Sequence, residues 1–577
     1  MAIKINFPGQ IIIKEEAMNR TGKNNILTLS AFILLTILFF FNSCKTGKFN
    51  SSDLNKITIN SYYKGEISGK TLYVTIKECN EKIAGEYFFV TDKAITEVNS
   101  FRGFIKNGML SVTGFVKNDS LQLFTEPVIS EDTISCNFFL KNSKEPQTLI
   151  LVREKPQAVF KSGNRYKSEV FSKVKKTTKI FGNAEGYYSS KLYENVSESN
   201  YGTILVDVAK SIAKNVLLKE HDLDLDIYEP VGDTLKKRPL IVLIHGGAFI
   251  IGDKKSETML ALSEYYARLG YVVASVNYRL GYLLLPGQYD YLEREIHRAV
   301  QDARAAIRYL MHNSGIYKID RNRIIVGGNS AGGFTALNVA FMDESEVYPS
   351  IKGSLLKLQK DLGCLDCSSN NYKDKFSVKG VINMWGALTD IELMDDYENI
   401  PLLSFHGDDD NIVPYGFDLP FKNIRPEITA FFVKKIYGSK IIHEKASKLN
   451  LKNELVTFQK ASHEPHLDEN NQFNEKFDII KSKTKDFNYS VITQTEEKII
   501  GIQEISHSDF PPSYRFYYHP SYKYFWKAEG GKIVSISPNG EEIKIVWFDN
   551  SDNKKIILNI INDIGASLEF SMPVRVI

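Results

Sequence analysis

The chemistry in this chain centres on one pentapeptide, Gly328-Asn-Ser330-Ala-Gly332. An apolar run, Ile324 to Val326, leads into it, and an apolar helix-like segment, Phe334 to Met342, leads out. G-x-S-x-G at a strand-to-helix turn is the pattern of a nucleophile elbow. A serine there stands clear of the sheet, and its strained backbone needs small neighbours on both sides. The following helix aims its free N–H groups at an oxygen that becomes negative during acyl transfer. A glycine-rich turn that happens to hold a serine would give the same five letters, so the surroundings decide.

Three other strand ends supply those surroundings. The apolar run Pro239 to Ile244 ends in His245-Gly-Gly-Ala-Phe249. Glycines there let backbone N–H groups close on a substrate oxygen. Leu402 to His406 leads into Gly407-Asp-Asp-Asp410 and then Val413-Pro414, while Glu454 to Phe458 leads into Ala461-Ser-His463-Glu-Pro465. Serine, acid and histidine therefore come in the order used by one class of acyl-transfer enzymes. The acid orients the imidazole, which takes the serine proton and returns it to the leaving group. Consecutive aspartates also suit a solvated loop, and a histidine can sit idly in one. Four strand ends arriving in order argue otherwise.

The elements that must position these groups alternate. Strand patterns run at Leu223–Tyr228, Pro239–Ile244, Tyr271–Ser275, Val378–Met384, Pro401–Phe405 and Glu454–Phe458. Between them, a helix capped by Ser256 runs to Leu269 and stops at Gly270, and a longer one spans Glu293–His312. The alternation predicts an α/β, doubly wound, mainly parallel sheet with functional groups at the carboxyl ends of its strands. Residues 51–155 read as an all-β barrel or sandwich of hairpins. A basic, Ser/Lys-rich connector of about 155–220 follows and becomes helix-like near Ile204 to Leu218. Residues 496–577 return to a β pattern.

Residues of roughly 220–485 resemble the α/β-hydrolase esterases of the carboxylesterase and hormone-sensitive-lipase type. The likeness rests on His245-Gly-Gly-Ala-Phe249, Asn277-Tyr-Arg279, Asp302 with Ala305-Ala306, Gly328 to Gly333, His406-Gly407…Asp410…Val413-Pro414 and His463-Glu-Pro465. It implies Ser330 as nucleophile, Asp410 as acid and His463 as base. In that family the acid lies four residues after the histidine of His-Gly-x-x-Asp, so the resemblance implies Asp410 rather than Asp408 or Asp409. The resemblance also implies an oxyanion hole from the amides of Gly247, Ala248 and Ala331, with Ala248 where many relatives have glycine. Arg279 and Asp302 resemble bracing positions, and His245 has a structural role. The catalytic domain is expected at 165–490, and a chain of about those residues should keep hydrolytic activity, because all four motifs lie inside it. Trp526, Gly530-Gly531 and Trp547 resemble the immunoglobulin-like PKD sandwich, giving a last domain at 496–577. Insertions at Asp343–Phe376 and Tyr415–Tyr437 are expected to flank the site and set specificity.

A net charge of +3 over 577 residues gives no electrostatic case for nucleic acid. At the amino end, Arg20 and Lys23 precede an apolar run, Ile26 to Phe41, closed by Asn42-Ser43-Cys44. This resembles a bacterial lipoprotein signal over residues 1–44, which would lipidate Cys44 and anchor the chain to a membrane of the cell envelope, outer membrane favoured. A transmembrane anchor is the rival, but the run is short of the roughly 20 residues a span needs. Cys364-Leu-Asp-Cys367 suggests a local disulfide or two free thiols, and neither a metal nor a cofactor is expected. The expected function is a serine carboxylic-ester hydrolase acting through an acyl-enzyme, with acyl groups on polysaccharides suggested by the flanking β modules. A prolyl-oligopeptidase-type serine peptidase shares the acid-loop pattern, but the propeller repeats are missing. A non-catalytic surface binding protein on a hydrolase scaffold is the other alternative.

Overall fold

The computed structural model describes the strands between residues 61 and 153, and then 163–186, 219–281, 290–354, 359–395, 399–422, 433–506, 511–547 and 554–576. Cys44 and the helix-like stretch Ile204 to Leu218 lie outside these residues. Two compact units emerge, one of residues 1–158 with 506–511 and one of 159–505 with 512–577.

The first unit is a closed barrel of eight antiparallel strands: β1 (Ser61–Ile67), β2 (Lys70–Cys79), β3 (Lys82–Val90), β4 (Asn99–Lys106), β5 (Met109–Val116), β6 (Asp119–Ile129), β7 (Thr133–Phe138) and β8 (Gln147–Arg153). Each strand pairs with the next, and β8 closes on β1 through Tyr63↔Arg153 and Lys64↔Val152. Alternation explains the closure. Tyr63 and Leu149 with Leu151 are buried, while Lys64 and Glu66 face solvent.

The second unit is built on a sheet of eight strands, which in chain order are β9 (Val174–Gly186), β10 (Lys219–Pro230), β11 (Arg238–Ile244), β12 (Val272–Val276), β13 (Ile319–Asn329), β14 (Val378–Met384), β16 (Leu402–Gly407) and β19 (Asn453–Phe458). Their spatial order is β19-β16-β14-β13-β11-β12-β10-β9. β11 to β19 run parallel, and β10 is antiparallel to both its neighbours. β11 shows why the middle strands are apolar throughout. Leu240, Val242 and Ile244 pack on one face with helices α2 (Asp290–His312) and α3 (Ala331–Phe341). Ile241 and Leu243 pack on the other with α1 (Glu257–Leu269) and the later α5 (Glu475–Ile492). Ser256 stands at the N-cap of α1 as expected, but its side chain makes no capping bond; Gly270, in the left-handed region at φ 114°, ends the helix.

The connector expected at 155–220 contains β9, which is a correction. Its lysines, Lys175, Lys176 and Lys179, are exposed on the sheet's edge. Lysine is a common guard on such an edge, and it disguises the strand as a polar linker.

A small sheet of β15 (Ala387–Leu388), β17 (Phe417–Asp418) and β18 (Ile436–Gly438) follows, and α4 (Ser439–Lys448) leaves it. The last segment is two four-stranded sheets. One holds β20 (Ile500–Gly501), β22 (Ser513–Arg515), β25 (Glu542–Trp547) and β24 (Gly531–Ile536); the other holds β21 (Glu504–Ile505), β27 (Ser567–Val576), β26 (Lys554–Ile561) and β23 (Lys523–Glu529). Trp526 and Trp547 lie in the core between them. Their indole N–H groups donate to Gly540 O (2.7 Å) and Tyr514 Oη (3.1 Å).

A boundary at 490–496 separates the sheets but not the cores. The turn between β26 and β27 inserts Ile564 and Ala566 into the core under the eight-stranded sheet, beside Tyr166 and Tyr271. Tyr166 Oη donates to Ile564 O at 3.0 Å, Arg323 pairs with Asp563 at 3.1 Å, and Tyr489 Oη donates to Ser567 O.

Candidate active site

The pentapeptide forms the turn between β13 and α3. Ser330 sits at φ 51° and ψ −121°, a strained conformation for a residue with a Cβ. The surroundings hold it there: Ser330 N–H donates to Met384 O (2.9 Å), and Phe334 N–H to Ser330 O (3.1 Å). The glycines have a steric cause. A Cβ on Gly332 would lie 2.0 Å from Ile244 O, and one on Gly328 would lie 2.3 Å from Gly332 C and O. Only glycine lets α3 start this close to the end of β11.

Asp410 and His463 arrive on the turns after β16 and β19. His463 Nε2 lies 3.0 Å from Ser330 Oγ, and His463 Nδ1 lies 2.7 Å from Asp410 Oδ2. Asp410 is buried, whereas Asp408 and Asp409 are exposed. Its Oδ1 accepts the N–H groups of Ile412 (2.8 Å) and Val413 (2.9 Å). His406 Nε2 stands 3.2 Å from Oδ2. Burial alone would push the carboxyl pKa up. His463 and the hydrogen bonds from both histidines outweigh it, so Asp410 is held well below the usual carboxylate range.

The sequence placed His406 at a strand end and in the His-Gly-x-x-Asp pattern but gave it no role of its own. Ser439 Oγ lies 2.7 Å from His406 Nδ1, and Val413 O lies 3.0 Å from Nε2. If the serine donates to Nδ1, the proton stays on Nε2, where it can bond Val413 and the acid. The usable signal was its spacing, four residues before Asp410.

The turn after β11 is unusual in its backbone. Gly247 (φ 113°), Ala248 (φ 53°) and Phe249 (φ 60°) lie in succession in the left-handed region. The N–H groups of Ile250 and Ile251 both donate to Gly247 O, at 2.9 and 3.0 Å. Ala331 is the first residue of α3, where N–H groups have no partner within the helix. His245 bonds inside the loop, its Nδ1 2.7 Å from Gly246 O, and it stacks on Tyr278 at 4.5 Å. Burial lowers its pKa to about 4.

A layer beneath braces this loop. Lys254 N–H donates to Asn277 Oδ1 (2.8 Å), and Lys254 Nζ reaches Asp224 at 2.5 Å. Arg279 and Asp302, expected to brace the site, form a buried pair at 2.8 Å that Ser369 Oγ joins. Ser369 belongs to the first insertion, which clasps α2 and β9. Arg294 donates to Ser350 O (2.6 Å), Arg304 and Arg308 pair with Asp366, and Asn183 N–H donates to Ser369 O (2.8 Å). Cys364 and Cys367 form a disulfide within it. In the second insertion, residues 423–432 lie outside the described ones; its ends form β17 and β18.

The sheet order, the elbow and the strand-end turns are similar to those of the α/β-hydrolases. Residues 225–400 match the family model described as BD-FAE. Carboxylesterase 3B of Mus musculus is 36% identical over 117 residues, which are 20% of this chain and 20% of that protein. Carboxylesterase 1C of Rattus norvegicus is 34% identical over 135 residues, 23% of this chain and 24% of the relative. Of the solved structures, Thermogutta terrifontis esterase 2 phosphorylated by paraoxon is 18% identical, covering 55% of this chain and 94% of that one, with a TM-score of 0.35. The chain spans only about a fifth to a quarter of these two curated relatives.

Proposed function

We propose that the protein is a serine carboxylic-ester hydrolase that works through an acyl-enzyme. The observation that carries this is the relay Ser330 Oγ–His463 Nε2 (3.0 Å) and His463 Nδ1–Asp410 Oδ2 (2.7 Å) at the carboxyl ends of the strands. Ser330 Oγ attacks the acyl carbon as its proton passes to His463 Nε2. The low carboxyl pKa of Asp410 keeps a negative charge against the resulting imidazolium. The N–H groups of Ala331, Gly247 and Ala248 take the tetrahedral oxyanion. Collapse expels the alcohol, which receives the proton from His463. Water, deprotonated by the same imidazole, then attacks the acyl-Ser330 ester and releases the acid.

The supporting experiment is release of p-nitrophenol from a panel of short esters beside a panel of peptide anilides. Esters turned over by the native chain and not by Ser330→Ala support the reading. Hydrolysis of the anilides alone would replace it with a peptidase.

Three finer readings complete the proposal. Acyl groups on polysaccharides are the favoured substrates, because β modules of the kind that bind or present glycans lie on both sides of the hydrolase in sequence. Lipidation at Cys44 holds the protein on a bacterial membrane, favoured as the outer one, and the final sandwich is of the PKD type. Cys44→Ser should abolish incorporation of a fatty-acid probe; unchanged labelling would move the anchor elsewhere.

A further inference from the structure

At the far end of the sheet from Ser330, a hollow of about 930 Å³ opens between the amino ends of β13 and β14 and the final sandwich. It is as large as the upper range of small-molecule sites, roughly 300–1,000 Å³. We propose that it binds a neutral polysaccharide chain and so holds the enzyme on that chain, apart from the hydrolytic site.

The charges in its wall indicate the class of ligand. Arg323 pairs with Asp320 and with Asp563, and Arg304 with Asp366. Lys237, Lys379, Asp343 and Glu344 line it beside those pairs, so the two signs come close to balance and neither a polyanion nor a polycation finds a matching field. What the wall does offer is a dense mixture of fixed donors and acceptors, extended by Asn322, Ser377 and Gln494. Neighbouring hydroxyls of a sugar ring, each both donor and acceptor, suit such a surface.

The lip supplies the second requirement, apolar faces for the C–H faces of sugar rings. His519 and Tyr522 both line the hollow, and their rings lie 4.5 Å apart with planes tilted by 34°. The same turn leaves Tyr517 51% and Tyr518 46% exposed, unusual for aromatic side chains in a sandwich with a well-filled core. Large exposed aromatic surface marks an interaction site more often than a scattered apolar residue does. The turn is also preorganised. Tyr524 Oη donates to Tyr517 O and accepts from His519 N–H, both at 2.8 Å, and Tyr522 N–H donates to His519 O at 3.0 Å. A ligand therefore need not order it, which removes part of the cost of binding.

Position separates this site from catalysis. Asn322, at the hollow, and Ser330 lie eight residues apart along β13 and its turn, roughly 25 Å at about 3.3 Å per residue. One glycosyl unit cannot occupy both. A chain held here would raise the concentration of neighbouring ester groups around the enzyme, as any tether does.

The test is native electrophoresis in gels containing soluble xylan, galactomannan or mixed-linkage glucan, run with Ser330→Ala so that binding is read without hydrolysis. At least one of these glycans should retard Ser330→Ala and the native chain equally. Retardation should survive 1 M salt, where the screening length is about 3 Å. His519→Ala with Tyr522→Ala should weaken it tenfold or more while hydrolysis of a soluble p-nitrophenyl ester stays unchanged. Should that pair unfold, Asn322→Ala with Lys379→Ala, both exposed on the opposite wall, should weaken it severalfold instead. The proposal is overturned if none of the three glycans retards the protein. It is equally overturned if binding is confined to polygalacturonate and lost in salt, if the folded wall and lip variants bind as the native chain does, or if a phosphonate ester on Ser330 abolishes retardation. Loss of ester hydrolysis in the native chain would sink the hydrolase reading and leave this one standing.

Discussion

The His466 imidazole stacks on the Trp385 indole at 4.8 Å, with the ring planes 27° apart, directly behind the turn that carries His463. Its Nε2 lies 2.7 Å from Thr258 Oγ1, and burial pushes its pKa down to about 3. His466 is therefore a neutral core residue, and His463 is the one beside Ser330. His463→Ala should lose nearly all hydrolysis while unfolding at close to the native temperature. His466→Ala should instead be less stable by about 2–4 kcal/mol, through the cavity left against Trp385, and should keep most of its rate when assayed well below its melting point. If His466→Ala folds normally and is inert while His463→Ala turns over, the assignment of the base is wrong.

Ser330→Ala should reduce ester hydrolysis by a factor on the order of 10⁴ to 10⁶. The fold should survive, because alanine keeps the Cβ and the elbow is held by backbone bonds to Met384 and Phe334. Ser330→Ala with His463→Ala should be little worse than either alone, since the groups act as a unit. Single losses that multiply in the double variant would mean that the two residues act independently.

Two glycines should behave oppositely. A Cβ on Gly332 would lie 2.0 Å from Ile244 O, whereas one on Gly315 meets nothing within 4 Å. Gly332→Ala should force α3 off the end of β11, with loss of soluble protein or of activity. Gly315→Ala, in the short helix Ser314–Tyr317, should be neutral or stabilising by up to about 1 kcal/mol. Urea melts of the two variants read the difference. A Gly332→Ala chain of native stability would show that the contact is relieved without consequence.

The site and its sheet were largely legible in the sequence. Strands buried on both faces, such as β11 and β16, read as apolar runs; Ser330 and Asp410 follow buried runs, whereas His463 follows the half-exposed edge strand β19. The family resemblance also implied Asp410 over Asp408, and the structure buries only Asp410 of the three. What stayed illegible depends on partners distant in sequence. β9 is an edge strand whose lysines imitate a linker. His406 needs Ser439 and Val413 to show its role. The turn at Ile564 looks like any hairpin turn until Tyr166 and Tyr271 are found around it.

Acid should destabilise the protein through its buried histidines. Burial lowers the pKa of His245 and His297 to about 4 and that of His466 to about 3. In the unfolded chain each returns to an ordinary value of about 6.5. Between roughly pH 6.5 and 4 the unfolded state then binds more protons than the folded one, so stability falls as pH falls through that window. Each histidine contributes a slope approaching about 1.4 kcal/mol per pH unit. Urea midpoints measured from pH 7 to pH 4.5 should drop accordingly, and His466→Gln should flatten the drop by one histidine's share. An unchanged slope in that variant would show that His466 titrates normally in the folded state.

The inserted turn of the sandwich leads to a different truncation from the one that the motifs suggest. A chain of 165–490 contains Ser330, Asp410, His463 and the loop at Gly247, so on motif content alone it should be active. It lacks Ile564 and Ala566, both fully buried against Tyr166 and Tyr271. It also loses Ile564 O, which accepts from Tyr166 Oη at 3.0 Å, and Asp563, the partner of Arg323. Removing them leaves a buried hydroxyl without its acceptor, at about 1–3 kcal/mol, and opens an apolar cavity beside it. The 165–490 chain should therefore be insoluble or melt far below the native protein. A chain of 159–577, which omits the barrel and keeps the turn, should fold and hydrolyse p-nitrophenyl esters at close to the native rate. Ile564→Asp in the full chain should reproduce the defect of the truncation, because it puts a charge where the turn enters the core. A soluble, fully active 165–490 chain would show that the core of the eight-stranded sheet closes without the sandwich.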